Sequence, residues 1–167
     1  MINIRKGQAH SLQQTDRVGA TVASEGVVAG MLVKYDPTAN SNAGGIKKVS
    51  STTDTGLIGF AVNNQTDGDV IASGKLGLYM LDGDSVVESD QIQTSPTVAA
   101  AVAAIGAFVI PSATAGKFNI VNSVTTERVI GKVYDVRTLP SVTIPAGYPA
   151  SVANWENSTV VAIKLNA

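Results

Sequence analysis

The feature that most constrains the fold is a series of short apolar runs, each interrupted by glycine or ended by polar turn residues, and it is densest between Gly56 and Leu81. A cluster of turn-forming residues, Asn63 to Asp69, lies in the middle of this stretch. Apolar runs of this length between turn signals are typical of β-strands and are too short for most helices. We therefore predict a β-meander, with strands over residues 57–62, 70–72 and 76–81.

Glycines also lie inside or beside these predicted strands, at positions 56, 59, 74 and 77. Glycine at such a position usually marks a bulge, a sharp bend or the close approach of another backbone. We expect these glycines to have that role.

The second half of the chain repeats this pattern in the same order. The aligned pairs are Gly30–Val33 with Gly106–Val109, Ile46–Val49 with Phe118–Val121, and Leu57–Val62 with Val129–Tyr134. We predict an all-β fold, a compact β-barrel or β-sandwich of about 8–10 short strands. In this interpretation residues 18–167 form one β domain with an internal duplication, whose halves span about 18–81 and 98–167. Chance similarity between short Val- and Gly-rich strands is the alternative.

Residues 1–17 differ from the rest because they are mostly polar. Ile2 and Ile4 alternate with polar residues, and a hydrophilic run follows to Arg17. Two apolar residues cannot hold a segment folded, so we predict an extended N-terminal arm or edge strand that needs a partner surface. A frayed terminus is the alternative.

Charge and composition argue against several functional classes. The chain has 12 Lys and Arg against 13 Asp and Glu, and no basic tract, so we expect no nucleic-acid partner. Cysteine is absent, which excludes disulfides, thiolate nucleophiles and cysteine-based metal sites. No apolar run approaches the length of a membrane span and the N-terminus has no signal-like apolar region, so we expect no membrane partner.

Catalytic patterns are weak. Asp54-Thr55-Gly56 matches the Asp-Thr-Gly motif of aspartic proteases, in which two such carboxylates share a proton. It follows a Ser/Thr-rich segment instead of an apolar strand, and the second half carries Thr126-Glu127-Arg128 at the equivalent position, so only a homodimer could supply the second carboxylate. His10 is the single histidine and lies in the arm, a poor place for the base of a catalytic triad. We expect no enzymatic activity, no catalytic residues and no cofactor.

An acidic cluster and two late aromatics leave binding functions open. Asp82, Asp84, Glu88 and Asp90 lie close together in sequence, near the turn that carries Asp67 and Asp69. Oxygen-rich loops can bind Ca²⁺, but the EF-hand spacing is missing, so we expect a solvated acidic rim and no metal site, with ion binding left open. Tyr148 and Trp155 could stack on a sugar, although an aromatic that caps a barrel end is commoner.

Five segments together carry a resemblance to a known class of proteins: RVGATVASEGVVAGMLV, GLIGFAVNN, GKLGLYML, IGAFVI and RVIGKVYDV. The chain resembles the small all-β head decoration (cement) proteins of tailed bacteriophages, which share this order of glycine-punctuated strands. The resemblance covers about residues 17–138 and rests on the general pattern of apolar segments and glycines. It is therefore specific to a class of virion proteins and not to one family. No catalytic or ligand motif is carried over. The long segment from Leu139 to Ser158 departs from the pattern and leaves a tail or neck location open.

The resemblance implies a structural, non-enzymatic virion protein. Such a protein is made in the bacterial host cytoplasm and attaches to the outer surface of the icosahedral capsid, where it cements neighbouring major capsid protein subunits. It does so usually as a homotrimer and sometimes as a dimer, often with an N-terminal arm that clamps capsid subunits. We expect the contacts with the capsid or an adjacent protomer to come from Ile2, Ile4, Arg5, Lys6, His10 and Arg17. The alternative is a receptor- or carbohydrate-binding β module of a phage tail, neck or fibre, with Tyr148 and Trp155 as the contact site.

Overall fold

The fold is all-β, as the sequence predicts. The computed structural model describes residues 2–6, 13–17, 26–38, 44–81, 85–93, 104–138 and 159–166. These residues form eleven strands in two antiparallel sheets and one short helix, so the described strands outnumber the 8–10 predicted.

The strands follow one another along the whole chain. In order they are β1 (Ile2–Lys6), β2 (Gln13–Arg17), β3 (Leu32–Asp36), β4 (Gly45–Lys48), β5 (Leu57–Ala61), β6 (Lys75–Met80), β7 (Val86–Ser89), β8 (Phe108–Pro111), β9 (Phe118–Val121), β10 (Gly131–Thr138) and β11 (Thr159–Leu165). The helix α1 (Gly68–Ser73) lies between β5 and β6. Strands β5 and β6 confirm, to within a residue at each end, the predicted strands over 57–62 and 76–81.

The predicted strand over 70–72 is wrong, because these residues belong to α1. Asp67 is the extended N-cap residue, and Gly74 ends the helix in the left-handed conformation with its N–H donating to the Val70 carbonyl oxygen. Val70 is buried in the core whereas Ile71 is 71% exposed. The adjacent β-branched residues Val70 and Ile71 favour a strand by local propensity. In the fold, the C-cap at Gly74 and the burial of one side of a single turn favour a helix instead.

The two sheets repeat one strand order. The five-stranded sheet runs β2-β6-β5-β3-β4, and the six-stranded sheet runs β1-β7-β11-β10-β8-β9, so the second sheet has the first order with β1 added outside β7. Equivalent turns match in detail: Gly30 and Gly106 have φ of +91° and +87°. Their N–H groups donate to the carbonyl oxygens of Ala61 and Val133, at 2.7 and 2.8 Å. An origin by duplication remains a prediction, and the shared topology supports it.

Both sheets curl towards barrels. The edge strands β2 and β4 of the first sheet approach within 8 Å at their Cα atoms. In the second sheet, Ile92 follows β7 and forms a parallel bridge with Phe118 of the edge strand β9. This curling gives each sheet a concave side that can be filled with small side chains.

Two clusters of buried side chains form the core. One consists of Val33, Ile46, Ala61, Leu76 and Leu78 of the first sheet, Val70 of α1, and Val27 from the segment before β3. The other joins the sheets, because Leu32, Val49 and Phe60 of the first half pack with residues of the second, among them Val109, Phe118 and Ile163. The rings of Phe60 and Phe118 meet edge to face with centroids 6.4 Å apart. The sheets therefore pack on one another through a shared apolar layer.

Candidate functional site

The N-terminal segment is an edge strand in this structure. The backbone of β1 pairs antiparallel with β7, with Ile2 opposite Ser89 and Ile4 opposite Val87. The register shifts between Ile4 and Lys6, which leaves Arg5 at an irregularity of the ladder. Strand β1 ends its sheet, and among the described residues no strand pairs with its other side. An open strand edge can accept a strand from another chain through main-chain hydrogen bonds.

The sequence-predicted contact residues do not form one site. Ile2, Ile4, Arg5 and Lys6 lie in β1 of the six-stranded sheet. Arg17 lies in β2, opposite Lys75, in the five-stranded sheet. His10 lies outside the described residues. The segment thus contributes an edge strand to each sheet, and its candidate residues are divided between them.

A second candidate surface, which the sequence analysis missed, is an exposed apolar patch on the six-stranded sheet. We call it the second-sheet patch and define it as Ile105, Phe108, Lys132 and Tyr134. Ile105 is 53% and Tyr134 51% exposed, Lys132 is exposed and Phe108 is half-buried. The Lys132 Nζ atom lies 5.2 Å from the centroid of the Phe108 ring, in cation–π geometry.

The backbone holds the members of the second-sheet patch together. Gly106 donates to the Val133 carbonyl oxygen and Val133 donates to that of Ala107, at 2.8 and 2.9 Å, so the turn that carries Ile105 adjoins β10. Tyr134 sits where the register between β10 and β11 shifts, between Val133 and Asp135. Such a bulge changes the direction in which a strand presents its side chains. The alignment of the two halves is the feature of the sequence that could have revealed this patch. In it, Ile105 and Tyr134 of the second half correspond to the smaller residues Ala29 and Val62 of the first half.

Asp54, the acidic residue of the protease-like Asp-Thr-Gly motif, stabilises the turn between β4 and β5. Its Oδ1 atom lies 2.6 Å from Lys34 Nζ, and its Oδ2 atom accepts the N–H groups of Ser50 and Ser51 at 2.7 and 3.0 Å. Burial raises the pKa of this carboxyl group, but Lys34 and the two amides outweigh burial and hold the pKa below its usual value. These contacts give Asp54 a structural role in the turn and add no support for a hydrolase.

The expectation of a solvated acidic rim is wrong for Glu88 and Asp90, which are 2% and 0% exposed. Glu88 forms an ion pair with Arg137, whose Nη2 atom lies 2.6 Å from the Glu88 Oε2 atom. The Asp90 Oδ1 atom accepts a hydrogen bond from the side-chain amide Nε2 of Gln91, at 3.2 Å. Glu88 is buried because its strand, β7, lies between β1 and β11, and Asp90 directly follows that strand.

Other binding features receive no support from the described residues. Within them, no group of three or more His, Asp or Glu side chains is placed to hold a metal ion. Asp82 and Asp84 of the acidic cluster, and the aromatics Tyr148 and Trp155, lie outside the described residues. No helix among the residues that the structure describes has the length and apolar character to cross a membrane.

Comparisons with known proteins add no further information on the site. No protein-family model, curated protein or solved structure matches the chain. The open edge of β1 and the second-sheet patch are thus the two surfaces from which a function can be argued.

Proposed function

We propose that this protein is a structural, non-enzymatic virion protein that binds the outer surface of an icosahedral phage capsid. In this role it cements neighbouring major capsid protein subunits against the pressure of the packaged genome. We further propose that it acts as a homo-oligomer, with a trimer favoured over a dimer. The proposal starts from the resemblance of the strand and glycine pattern to head decoration proteins.

The observation that carries the proposal is the position of β1 at the edge of the six-stranded sheet, where no described strand pairs with its other side. A strand of a capsid subunit or of an adjacent protomer could add to this edge, and Arg5 and Lys6 would supply charge contacts. The shared core of the two sheets supports the role too, because a module that spans a seam between subunits must itself resist deformation. Many weak, identical contacts then suffice, since binding across a shell is multivalent.

The copy number in purified virions tests the location. Quantitative mass spectrometry against the major capsid protein should give a ratio near one to one, or a simple fraction that corresponds to hundreds of copies. A few to a few dozen copies would move the protein to the tail, neck or fibres and favour the receptor- or carbohydrate-binding alternative. Absence from the particle would rule out the structural role.

Charge reversal in β1 tests the contact itself. The double variant Arg5→Glu, Lys6→Glu keeps the backbone of β1, whereas deletion of residues 2–10 would also uncover the edge of β7. We expect the double variant to bind capsids that lack the protein roughly tenfold or more weakly, because charged contacts across an interface are lost and reversed. Binding is measured by co-sedimentation with the capsids at several salt concentrations.

Arg128→Glu is the matched control, because Arg128 is exposed in the connection before β10, outside β1. This variant should bind capsids as the unmodified protein does. If the double variant in β1 binds normally, or if Arg128→Glu weakens binding equally, then β1 is not the capsid contact.

A further inference from the structure

A row of three residues crosses the six-stranded sheet and extends the second-sheet patch. Phe108 of β8 lies opposite Lys132 of β10, and Lys132 lies opposite Lys164 of β11. Residues directly opposite each other in antiparallel strands have Cβ atoms about 5 Å apart, so the three side chains share one face of the sheet. Lys132 and Lys164 are exposed and Phe108 is half-buried. The row therefore lies on the surface of the molecule.

The equivalent row of the first sheet is an interface inside the molecule. It consists of Leu32 of β3, Phe60 of β5 and Tyr79 of β6, which pair in the same order. Leu32 and Phe60 are fully buried in the core that the two sheets share, and Tyr79 packs against that core. The Leu32 N–H also donates to the Gly116 carbonyl oxygen of the second half, at 2.8 Å. In the first sheet, the second half of the chain thus covers this row.

Two lysines replace the aromatic pair of this row in the second sheet. Lys132 and Lys164 hold the positions that correspond to Phe60 and Tyr79. Like charges directly opposite each other in a sheet repel. The Phe108 ring, whose centroid lies 5.2 Å from Lys132 Nζ, attracts the ammonium group but has no net charge with which to neutralise it. The same place in the repeated topology is therefore apolar where the chain covers it and cationic where it is open.

Another opposed pair of lysines in this chain is compensated by carboxylates. Lys34 and Lys47 of the first sheet lie directly opposite each other, and each has an aspartate oxygen within 2.6 Å of its Nζ atom. Among the described residues, neither Lys132 nor Lys164 forms an ion pair with a carboxylate. The second pair thus keeps its repulsion in the free protein, and carboxylates brought by a partner would relieve it.

We propose that this face binds an acidic segment of another protein, which places carboxylates beside Lys132 and Lys164. Apolar side chains of the segment contact Ile105 and Tyr134, which are exposed members of the second-sheet patch. A protein segment fits the surface because aromatic residues are enriched in the cores of protein interfaces. Complementary charge sets the orientation of the segment and its rate of association. The inference goes beyond the proposed function, because it concerns a face of the sheet and not the edge of β1, and its test needs no capsid.

Thermal unfolding of the free, full-length protein tests the repulsion. Lys164→Glu gives the pair opposite charges, so it should raise the midpoint of unfolding by about 1–3 °C. Lys164→Gln only removes one charge and should give a smaller rise. Arg128→Glu is the control, because it makes the same change of charge at an exposed residue outside the row, and it should leave the midpoint unchanged. If neither variant of Lys164 raises the midpoint, the lysines do not repel and the inference is overturned.

Binding is measured by nuclear magnetic resonance on the ¹⁵N-labelled full-length protein, with a synthetic peptide of six glutamates around one leucine as the probe. The peptide should shift the amide signals of β8, β10 and β11. Lys164→Glu should raise the dissociation constant roughly fivefold or more at low salt, because an attractive charge becomes a repulsive one. Arg128→Glu should leave the dissociation constant unchanged. A lysine that serves only the fold would not lower stability and strengthen binding at once, so the two measurements together identify a charge that acts on a partner.

Three results of the titration would overturn the inference. The first is that the peptide leaves the signals of these strands unchanged up to its limit of solubility. The second is that Arg128→Glu weakens binding as much as Lys164→Glu does, which would mean attraction to the overall charge of the protein. The third is that a single-stranded oligonucleotide of six thymidines binds the same face more tightly than the peptide, which would make the face a nucleic-acid surface.

Discussion

At the scale of single residues, two glycines explain why the strands of each sheet can pack so closely. A Cβ atom on Gly59 would overlap the Tyr79 carbonyl oxygen, and a Cβ atom on Gly131 would overlap that of Lys164. The two glycines are equivalent in the alignment of the halves, and each faces the strand that follows in its own sheet. Because the obstructing atom belongs to the backbone, no side-chain rotation can relieve the overlap.

We therefore expect Gly59→Ala and Gly131→Ala each to lower the free energy of unfolding by about 2–4 kcal/mol, since a strand must shift to make room. Urea unfolding measures the change. Gly68→Ala is the control, because nothing lies within 4 Å of a Cβ atom there and the residue is helical. Alanine at this position should be neutral or stabilise by up to about 1 kcal/mol. Equal effects at all three positions would contradict the close approach of the strands.

At the scale of elements, the hairpin of β3 and β4 brings two lysines together, and two carboxylates offset the repulsion between them. Lys34 and Lys47 lie directly opposite each other in the register, and like charges at such positions repel. Asp54 pairs with Lys34 at 2.6 Å, and Asp36 pairs with Lys47 at 2.5 Å. The hydrogen bond from Lys47, with those from Thr38, lowers the pKa of Asp36 to about 2.

This arrangement predicts a loss of stability in acid. The pKa values of Asp36 and Asp54 are lower in the folded chain than in the unfolded one, so their stabilising effect is present above the unfolded value, about 3.9, and is lost as pH falls towards 2. The free energy of unfolding should therefore fall between about pH 5 and pH 2.

The double variant Lys34→Met, Lys47→Met removes both partners and should lose less stability over the same interval. Urea unfolding at a series of pH values measures the difference. Lys164→Met, on exposed Lys164 of β11, is the control and should keep the acid loss of the unmodified protein. An unchanged acid loss in the double variant would show that other carboxyl groups cause it.

At the scale of the whole molecule, the shared core makes the two sheets dependent on each other. Phe60 belongs to the first sheet but packs on Phe118 of the second, and the Ser89 hydroxyl of β7 donates to the Gly30 carbonyl oxygen at 2.8 Å. Each sheet buries part of its apolar surface only when the other is folded. We infer one cooperative unit, in spite of the repeated topology.

Phe60→Ala tests this dependence. It should cost about 3–5 kcal/mol, the usual range for a large core side chain replaced by alanine, and should do so in a single unfolding transition. Native-state hydrogen exchange should show reduced protection of amides in β8 and β9 as well as in β3 and β5. Wild-type protection in β8 and β9, or two separate transitions, would show that the halves fold independently.

Local pattern was enough to predict the class of fold and the positions of many strands. Short apolar runs between turn residues favour strands, so β5 and β6 lie within a residue of their predicted positions. The aligned segments Ile46–Val49 and Phe118–Val121 likewise coincide, to within a residue, with β4 and β9. The alignment of the halves also anticipated the equivalent pairs Gly30 with Gly106 and Gly59 with Gly131. These glycines allow a positive φ or the close approach of a neighbouring strand. Because only glycine meets such a requirement without strain, the requirement is visible in the sequence.

Tertiary packing decided what local pattern could not. Residues 70–72 became helical because one side of a single turn could be buried, and Glu88 became buried because its strand, β7, acquired neighbours on both sides. The second-sheet patch shows the same dependence. Phe108 and Lys132 differ from Leu32 and Phe60 in exposure because a following unit covers one pair and none of the described residues covers the other in this way. A sequence determines which residues can form a strand face, but only the packing of the whole chain decides which faces are covered.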